Sequence, residues 1–367
     1  MPANPTNGQL VQQIADEIAQ NGAIPFARFM DLCLYCPVHG FYERKKDTVG
    51  RDGDFYTSVS VGPLFGEILA FQFAEWLTLI TPQPETLHLV EAGAHDGRLA
   101  HDILSWFNKH RPTIPKRLQY IILEPSAQRQ NWQREKLSAF SSQVRWLDCS
   151  PTALRSHFTG IVFCNELLDA MPVRRLGWDA NAKTWFEWGV TVRDERFEWA
   201  QLGNIPVPKF IPSATSFLET LPNGFTIEMS PAAEQWWRNA ANMLSAGKLM
   251  TIDYGLRTEE LFMPHRISGT LRTYSRHQVS DDPLANPGEQ DITAHINFTT
   301  LQQAGEQLGL RTEIFEPQTT FLTRILHKAW ENGSGFGDWT PAYTRQFQSL
   351  THPEHLGHSF RVLVQTR

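Results

Sequence analysis

The feature that most narrows the fold is a series of short apolar runs, each followed by a stretch with helical periodicity. Leu87-His-Leu-Val-Glu91 passes through a turn, Gly93-Ala-His-Asp-Gly97, into a helical segment from Leu99 to about His110. Leu118–Glu124 (LQYIILE) leads into a helix from about Ala127 to Ala139. Val144–Leu147, Ile161–Cys164 and Lys248–Asp253 (KLMTID) continue the series, the last entered from a Trp-bearing helix over Ala232–Leu244. Apolar strands alternating with helices predict a parallel sheet covered on both faces. A helix near Leu301–Leu308, a strand at Arg311–Phe315 and an alternating run at Ser359–Gln365 close the chain. Two final strands, the last antiparallel, predict a seven-stranded Rossmann-like α/β sheet.

At 367 residues the chain is longer than one such sheet needs. Leu10, Val11, Ile14 and Ile18 recur at helical spacing, and a second helix near Phe26–Leu34 ends before Pro37 and Gly40. Pro63 opens a long apolar helix that runs to Ile80. Trp185–Trp188 and Arg196–Ala200 flank Arg193-Asp-Glu195, which predicts a β-hairpin. The stretch from Tyr254 to Asn297 holds Pro264, Pro283 and Pro287 and shows little periodicity. The expected organisation is one elaborated domain. A helical N-terminal lid occupies 1–62, core segments occupy 63–177, 225–255 and 299–367, a hairpin insertion occupies 178–224, and a second insertion occupies 256–298.

Acidic residues outnumber basic ones, 39 to 33, for a net charge of −6. This predicts no sequence-independent grip on nucleic acid, which needs clustered Lys and Arg. The first 20 residues have neither a basic nor an apolar leader, and the apolar runs are too short to span a bilayer. Four cysteines without a close framework argue against disulfides. A cytoplasmic protein with no membrane partner is expected. Cys33, Cys36 and His39 could be half a zinc site, but Cys149 and Cys164 offer no second pair, so no metal is expected. Of the 12 Trp, Trp236 and Trp237 read as core. Oligomeric state is not legible.

The strand ends carry the chemistry. Open parallel sheets bind ligands beyond the carboxyl ends of their strands. Gly93 and Gly97 in the first turn permit close backbone approach. Glu124 ends the next strand, where an acid can accept both hydroxyl hydrogens of a ribose. The turn lacks G-x-G-x-x-G, so no pyrophosphate cradle is visible. Glu91, at the first strand's end, would repel a phosphate but can hold a cation or amine. These details favour S-adenosylmethionine over a dinucleotide. Asp148 either accepts from an adenine amino group or caps a helix beginning at Pro151. Strand four ends in Asn165-Glu166-Leu-Leu-Asp169-Ala-Met-Pro172. Glu166 and Asp169, three residues apart, share a face on a helical turn and can grip a guanidinium. Equally, Asp169 suits a helix N-terminus.

Several blocks together resemble the MidA-like family of S-adenosylmethionine-dependent methyltransferases, which includes a mitochondrial complex I assembly protein-arginine methyltransferase. They are Leu34-Tyr-Cys-Pro-Val-His-Gly40-Phe-Tyr42, Gly53-Asp-Phe-Tyr-Thr57-Ser, Pro63-Leu-Phe-Gly66-Glu, Glu91-Ala-Gly93, Asn165 to Val173 and Ile252-Asp-Tyr-Gly255. The most specific block runs from Gly269-Thr-Leu-Arg-Thr-Tyr through Asp281-Asp-Pro-Leu and Pro287-Gly to Asp291-Ile-Thr-Ala-His295-Ile-Asn-Phe298. The resemblance implies a class I methyltransferase fold whose N-terminal segment closes over the cofactor. It implies that Asp54, Phe55 and Thr57 join Gly93, Glu124 and Asn165 around S-adenosylmethionine. His95 departs from the family pattern, standing where a third glycine is usual. On this basis Glu166 and Asp169 are expected to hold and deprotonate an arginine of a protein substrate, with Asp253, Tyr254 and His295 on the rim. A small-molecule methyltransferase and a non-catalytic binding protein stay open as alternatives.

Overall fold

Each core strand sends alternate side chains to opposite faces, and in this chain both faces are apolar. Tyr120 and Ile122 point into one buried cluster while Ile121 and Leu123 point into another. The computed structural model describes residues 8–44, 57–81, 84–149, 157–208, 210–211, 215–275, 278–280, 282–331, 333, 336–352, 356–357 and 359–367. Its main sheet is built on β1 (Leu87–Ala92), β2 (Leu118–Leu123), β3 (Val144–Leu147), β4 (Phe158–Asn165), β5 (Leu244–Leu256), β6 (Arg311–Pro317) and β7 (Phe360–Thr366), with the two-residue strand Ile296–Asn297 pairing parallel to the end of β5. The order across the sheet is β3-β2-β1-β4-β5-β7-β6. Neighbours from β3 to β5 run parallel, and β7 runs antiparallel to both β5 and β6. This is the class I methyltransferase arrangement, with the order reversing between β1 and β4, where such sheets open a crevice.

Helices Leu64–Thr78, Arg98–His110 and Gln318–Glu331 cover one face, and Pro231–Met243 and Phe298–Glu306 cover the other. Leu64–Thr78 is buried on nearly every side, which accounts for an apolar run interrupted only by Glu67, Gln72 and Glu75. No helix among the described residues is long and apolar enough to cross a membrane. Helices Gln318–Glu331 and Pro341–Thr351, between β6 and β7, were not foreseen from the sequence.

A second, antiparallel sheet sits apart from the first. It orders Ile24–Pro25, Thr184–Arg193, Arg174–Asp179 and Thr226–Met229, and Arg196–Ile205 pairs with Thr184–Arg193. Asp194 and Glu195 turn that hairpin with φ of 48° and 60°, the left-handed pair a two-residue loop requires. The N-terminal helices Gly8–Asn21 and Phe26–Tyr35 pack on this sheet. The Phe26 ring lies 4.9 Å from Trp199, and Phe29 lies 5.5 Å from Phe197. Leu10, Ile14 and Ile18 of the expected stripe are buried, whereas Val11 is 37% exposed. Within the stretch that lacked periodicity, Arg272–Ser275 lies between Gln278–Ser280 and Asp291–Thr293 in a small third sheet.

Candidate active site

The carboxyl ends of β1, β2, β4 and β5 converge on a cavity of about 820 Å³. Six acids (Glu91, Asp96, Glu124, Glu166, Asp169 and Asp291) and two arginines (Arg98 and Arg129) line it. A wall this acidic favours cationic ligands.

One half of the cavity is built around the β1 and β2 ends. Gly93 turns with φ of +76°, and a Cβ there would stand 3.0 Å from Leu167. Glycine is therefore favoured by backbone shape, and any side chain there would press on Leu167. Glu91 is 2% exposed. It accepts a 2.6 Å hydrogen bond from the Tyr120 hydroxyl. Burial raises its carboxyl to about 8 against the lowering effect of that bond. Glu124 accepts from the Ser126 amide and Arg129 Nε through Oε1, each at 2.9 Å, and from Gln133 Nε2 through Oε2 at 3.1 Å. Arg129 in turn pairs with Glu43 at 2.9 Å.

The other half is built around the β4 end. Glu166 adopts φ of 50°, a left-handed conformation uncommon for a side-chain-bearing residue and characteristic of functional sites. Its Oε1 accepts from the Ser58 amide and from Asn165 Nδ2, each at 3.0 Å. Burial raises the Glu166 carboxyl to about 8, and Asp253 and Asp291 nearby push in the same direction. Asp169 is raised well above the ordinary carboxylate range by burial and by Asp253, Asp291 and Glu166. The Tyr42 hydroxyl donates to Asp291 Oδ1 at 2.8 Å. The Tyr35 hydroxyl donates to the Ala170 carbonyl at 3.0 Å, and the two rings stack 5.6 Å apart. Tyr254 and Tyr274 complete an aromatic wall. Acids ringed by tyrosines form a site for a planar cation.

Of the expected site residues, Thr57, Glu91, Gly93, Glu124, Asn165, Glu166 and Asp169 line the cavity. Asp54 and Phe55 lie outside the described residues. Four others are placed differently from expectation. Gly97 is not in the cavity wall; it caps helix Arg98–His110 with φ of +85° and packs against Gln133. Asp148 is exposed, and Cys149 takes the wall position after β3. Asp253 is fully buried behind the wall, where it accepts from the Leu168 amide at 2.9 Å and the Tyr254 amide at 2.8 Å. It fixes the Glu166–Asp169 loop and does not reach the cavity. His295 stacks behind Tyr254 at 6.3 Å, and burial lowers it to about 4. Trp236, read as core, is half-buried and lines the cavity.

Tyr35, Tyr42, Asp291 and Tyr274 were not assigned a site role from sequence. The Tyr42–Asp291 contact spans 249 residues, and no short-range pattern can announce it. No cluster of metal-ligating residues occurs among the described residues.

Residues 68–316 match a family model described as "Putative S-adenosyl-L-methionine-dependent methyltransferase". A crystal structure from Burkholderia thailandensis of a "likely methyl transferase" bound to S-adenosyl-homocysteine superposes with a TM-score of 0.84. The two are 30% identical, and the alignment covers 100% of this chain and 95% of that one. Among curated relatives, the mitochondrial protein arginine methyltransferase NDUFAF7 homolog of Drosophila melanogaster is 25% identical over 83% of this chain and 71% of its own length. NDUFAF7 of Homo sapiens is 24% identical over 83% of this chain and 70% of its length. These relatives are mitochondrial proteins, which overturns the cytoplasmic placement expected from the N-terminal sequence.

Proposed function

Because the chain belongs to this S-adenosylmethionine-dependent methyltransferase family, we propose that it methylates an arginine side chain of a protein. The cofactor supplies an electrophilic methyl group on a sulfonium. The residues present fit it. Asn165 Oδ1 is buried with no hydrogen-bond partner and can accept from the cofactor's ammonium. Glu91 provides a carboxylate for a cationic ligand, Glu124 provides acceptors for ribose hydroxyls, and Gly93 leaves room for close approach.

The observation that carries the acceptor assignment is the cluster of Glu166, Asp169 and Asp291 inside a tyrosine wall. A guanidinium keeps its proton above pH 12, so its nitrogen is a poor nucleophile until a base relieves it. Glu166 and Asp169 hold the planar cation and aim one nitrogen at the methyl carbon. With the cofactor bound, its methyl group would be supplied to that nitrogen and a neutral thioether would leave, and Glu166 or Asp169 would take up the N–H proton. The crowded acids favour their protonated forms while the cavity lacks a cation. An incoming guanidinium supplies the missing positive charge and ionises them. The names of the curated relatives, protein arginine methyltransferases, support the same reading.

Since kcat/KM reports the free enzyme, it is expected to rise with pH as Glu166 ionises at about 8. Transfer from methyl-labelled cofactor into a cell extract tests the acceptor class. Label in the protein fraction is expected, with a rate that climbs between pH 6.5 and about 8.5. Label confined to small molecules would refute a protein acceptor, and a rate that falls over that interval would refute a carboxylate base.

A further inference from the structure

Glu124 is placed to receive a ribose, yet its carboxylate is already in contact with a guanidinium. Arg129 meets it through Nε alone, at Oε1. Left with a single carboxylate, an arginine tends to pair in fork fashion and occupy both oxygens. Such a fork on Glu124 would consume the acceptors that ribose hydroxyls need. The structure holds Arg129 in another arrangement, because its Nη1 pairs with Glu43 Oε1 at 2.9 Å. Glu43 Oε2 also accepts from the Ser126 hydroxyl at 2.8 Å. Ser126 in turn donates its backbone N–H to Glu124 Oε1 at 2.9 Å. Glu43 thus braces both groups that load Oε1, and Gln133 touches Oε2 only at 3.1 Å.

The side chains of Glu43, Arg129 and Glu124 are 14%, 12% and 2% exposed, so water screens this chain of charges weakly. Glu43 is not in the cavity wall, whereas Arg129 and Glu124 are. It belongs to the short helix Phe41–Arg44 of the N-terminal segment, far in sequence from the sheet that carries Glu124.

From this we infer that Glu43 is a positioning residue for the cofactor's ribose. It draws Arg129 aside so that Glu124 Oε2 keeps a lone pair free for a ribose hydroxyl. The N-terminal segment thereby contributes to cofactor recognition without touching the cofactor. This rests on the cofactor and is independent of which residue accepts the methyl group.

The test compares binding of S-adenosylhomocysteine and of its 2′-deoxyribose analogue by calorimetry, in the wild type and in Glu43→Gln. In the wild type, loss of one hydroxyl bonded to a charged group should weaken binding about tenfold or more. In Glu43→Gln, S-adenosylhomocysteine should weaken by a similar factor while the analogue changes little, so the discrimination collapses towards unity. Equal weakening of both ligands would mean that Glu43 serves only to hold the fold, and would overturn the inference. Unchanged binding of both would overturn it as well. Arg129→Lys provides a second variant should Glu43→Gln fold poorly. It keeps the charge but cannot fork across both Glu124 oxygens, so it should retain the discrimination, and loss of discrimination in it would overturn the inference.

Discussion

Replacing Glu166 with Gln is expected to lower methyl transfer by about 10²–10⁴-fold, the usual range for a positioned general base. Cofactor binding should stay within roughly threefold of wild type, because a side-chain carbonyl can still accept from the Ser58 amide and Asn165. The same substitution should stabilise the ligand-free protein at alkaline pH. The Glu166 carboxyl titrates at about 8 in the folded chain against an ordinary value of 4.5. A group raised in this way adds stability below its unfolded pKa, and that stability is lost as pH rises through the folded one. Gln removes the titration, so the variant should gain about 3–5 kcal/mol at pH 9 and little at pH 4. Thermal unfolding of both proteins at the two pH values reads this directly. Lost activity without the alkaline gain in stability would indicate that Glu166 acts by shape and not as a crowded, titrating acid.

Replacing Glu124 with Gln should act on the cofactor in place of the chemistry. One oxygen that accepts becomes an amide that donates, and it would face the amide of Gln133 or a ribose hydroxyl. Arg129 would also lose a charged partner, though Glu43 remains beside it. Affinity for S-adenosylhomocysteine is expected to fall about 10–100-fold, matching one or two lost hydrogen bonds to a charged group. At saturating cofactor, kcat should recover most of its wild-type value. A fall in kcat that excess cofactor does not restore would assign Glu124 a role beyond binding. The two variants therefore separate the halves of the cavity, one in KM for cofactor and the other in kcat.

The sheet was legible because its signals are local. A buried strand is a short apolar run, and β1 to β5 and β7 each carry one, while the edge strand β6 is only partly buried around Ile314 and Phe315. Glu124, Asn165, Glu166 and Asp169 were legible for the same reason, since each stands at or just past a strand end. The second sheet was legible only at its hairpin. Ile24–Pro25 is two residues long, and Arg174–Asp179 and Thr226–Met229 join it from distant parts of the chain. The half of the site around the β4 end was hidden in a similar way. Tyr42 meets Asp291, and Tyr35 meets Ala170 across 135 residues. Asp253 and His295 lie near the right strands but point behind the wall. A residue's place along a strand end does not settle which side of the loop it supports. Trp236 and Trp237 are adjacent on one helix, yet only Trp237 is fully buried, its indole donating to Gln365 at 2.9 Å. Trp236 turns towards the cavity because helical neighbours diverge by about 100°.

Proteins labelled by this enzyme with isotopically marked methyl groups, digested and read by mass spectrometry, test the central claim most directly. The mark is expected on an arginine guanidinium nitrogen in the wild-type reaction, with its near-complete loss in Glu166→Gln. A mark on lysine, on a carboxylate or on a backbone nitrogen, undiminished in that variant, would contradict it.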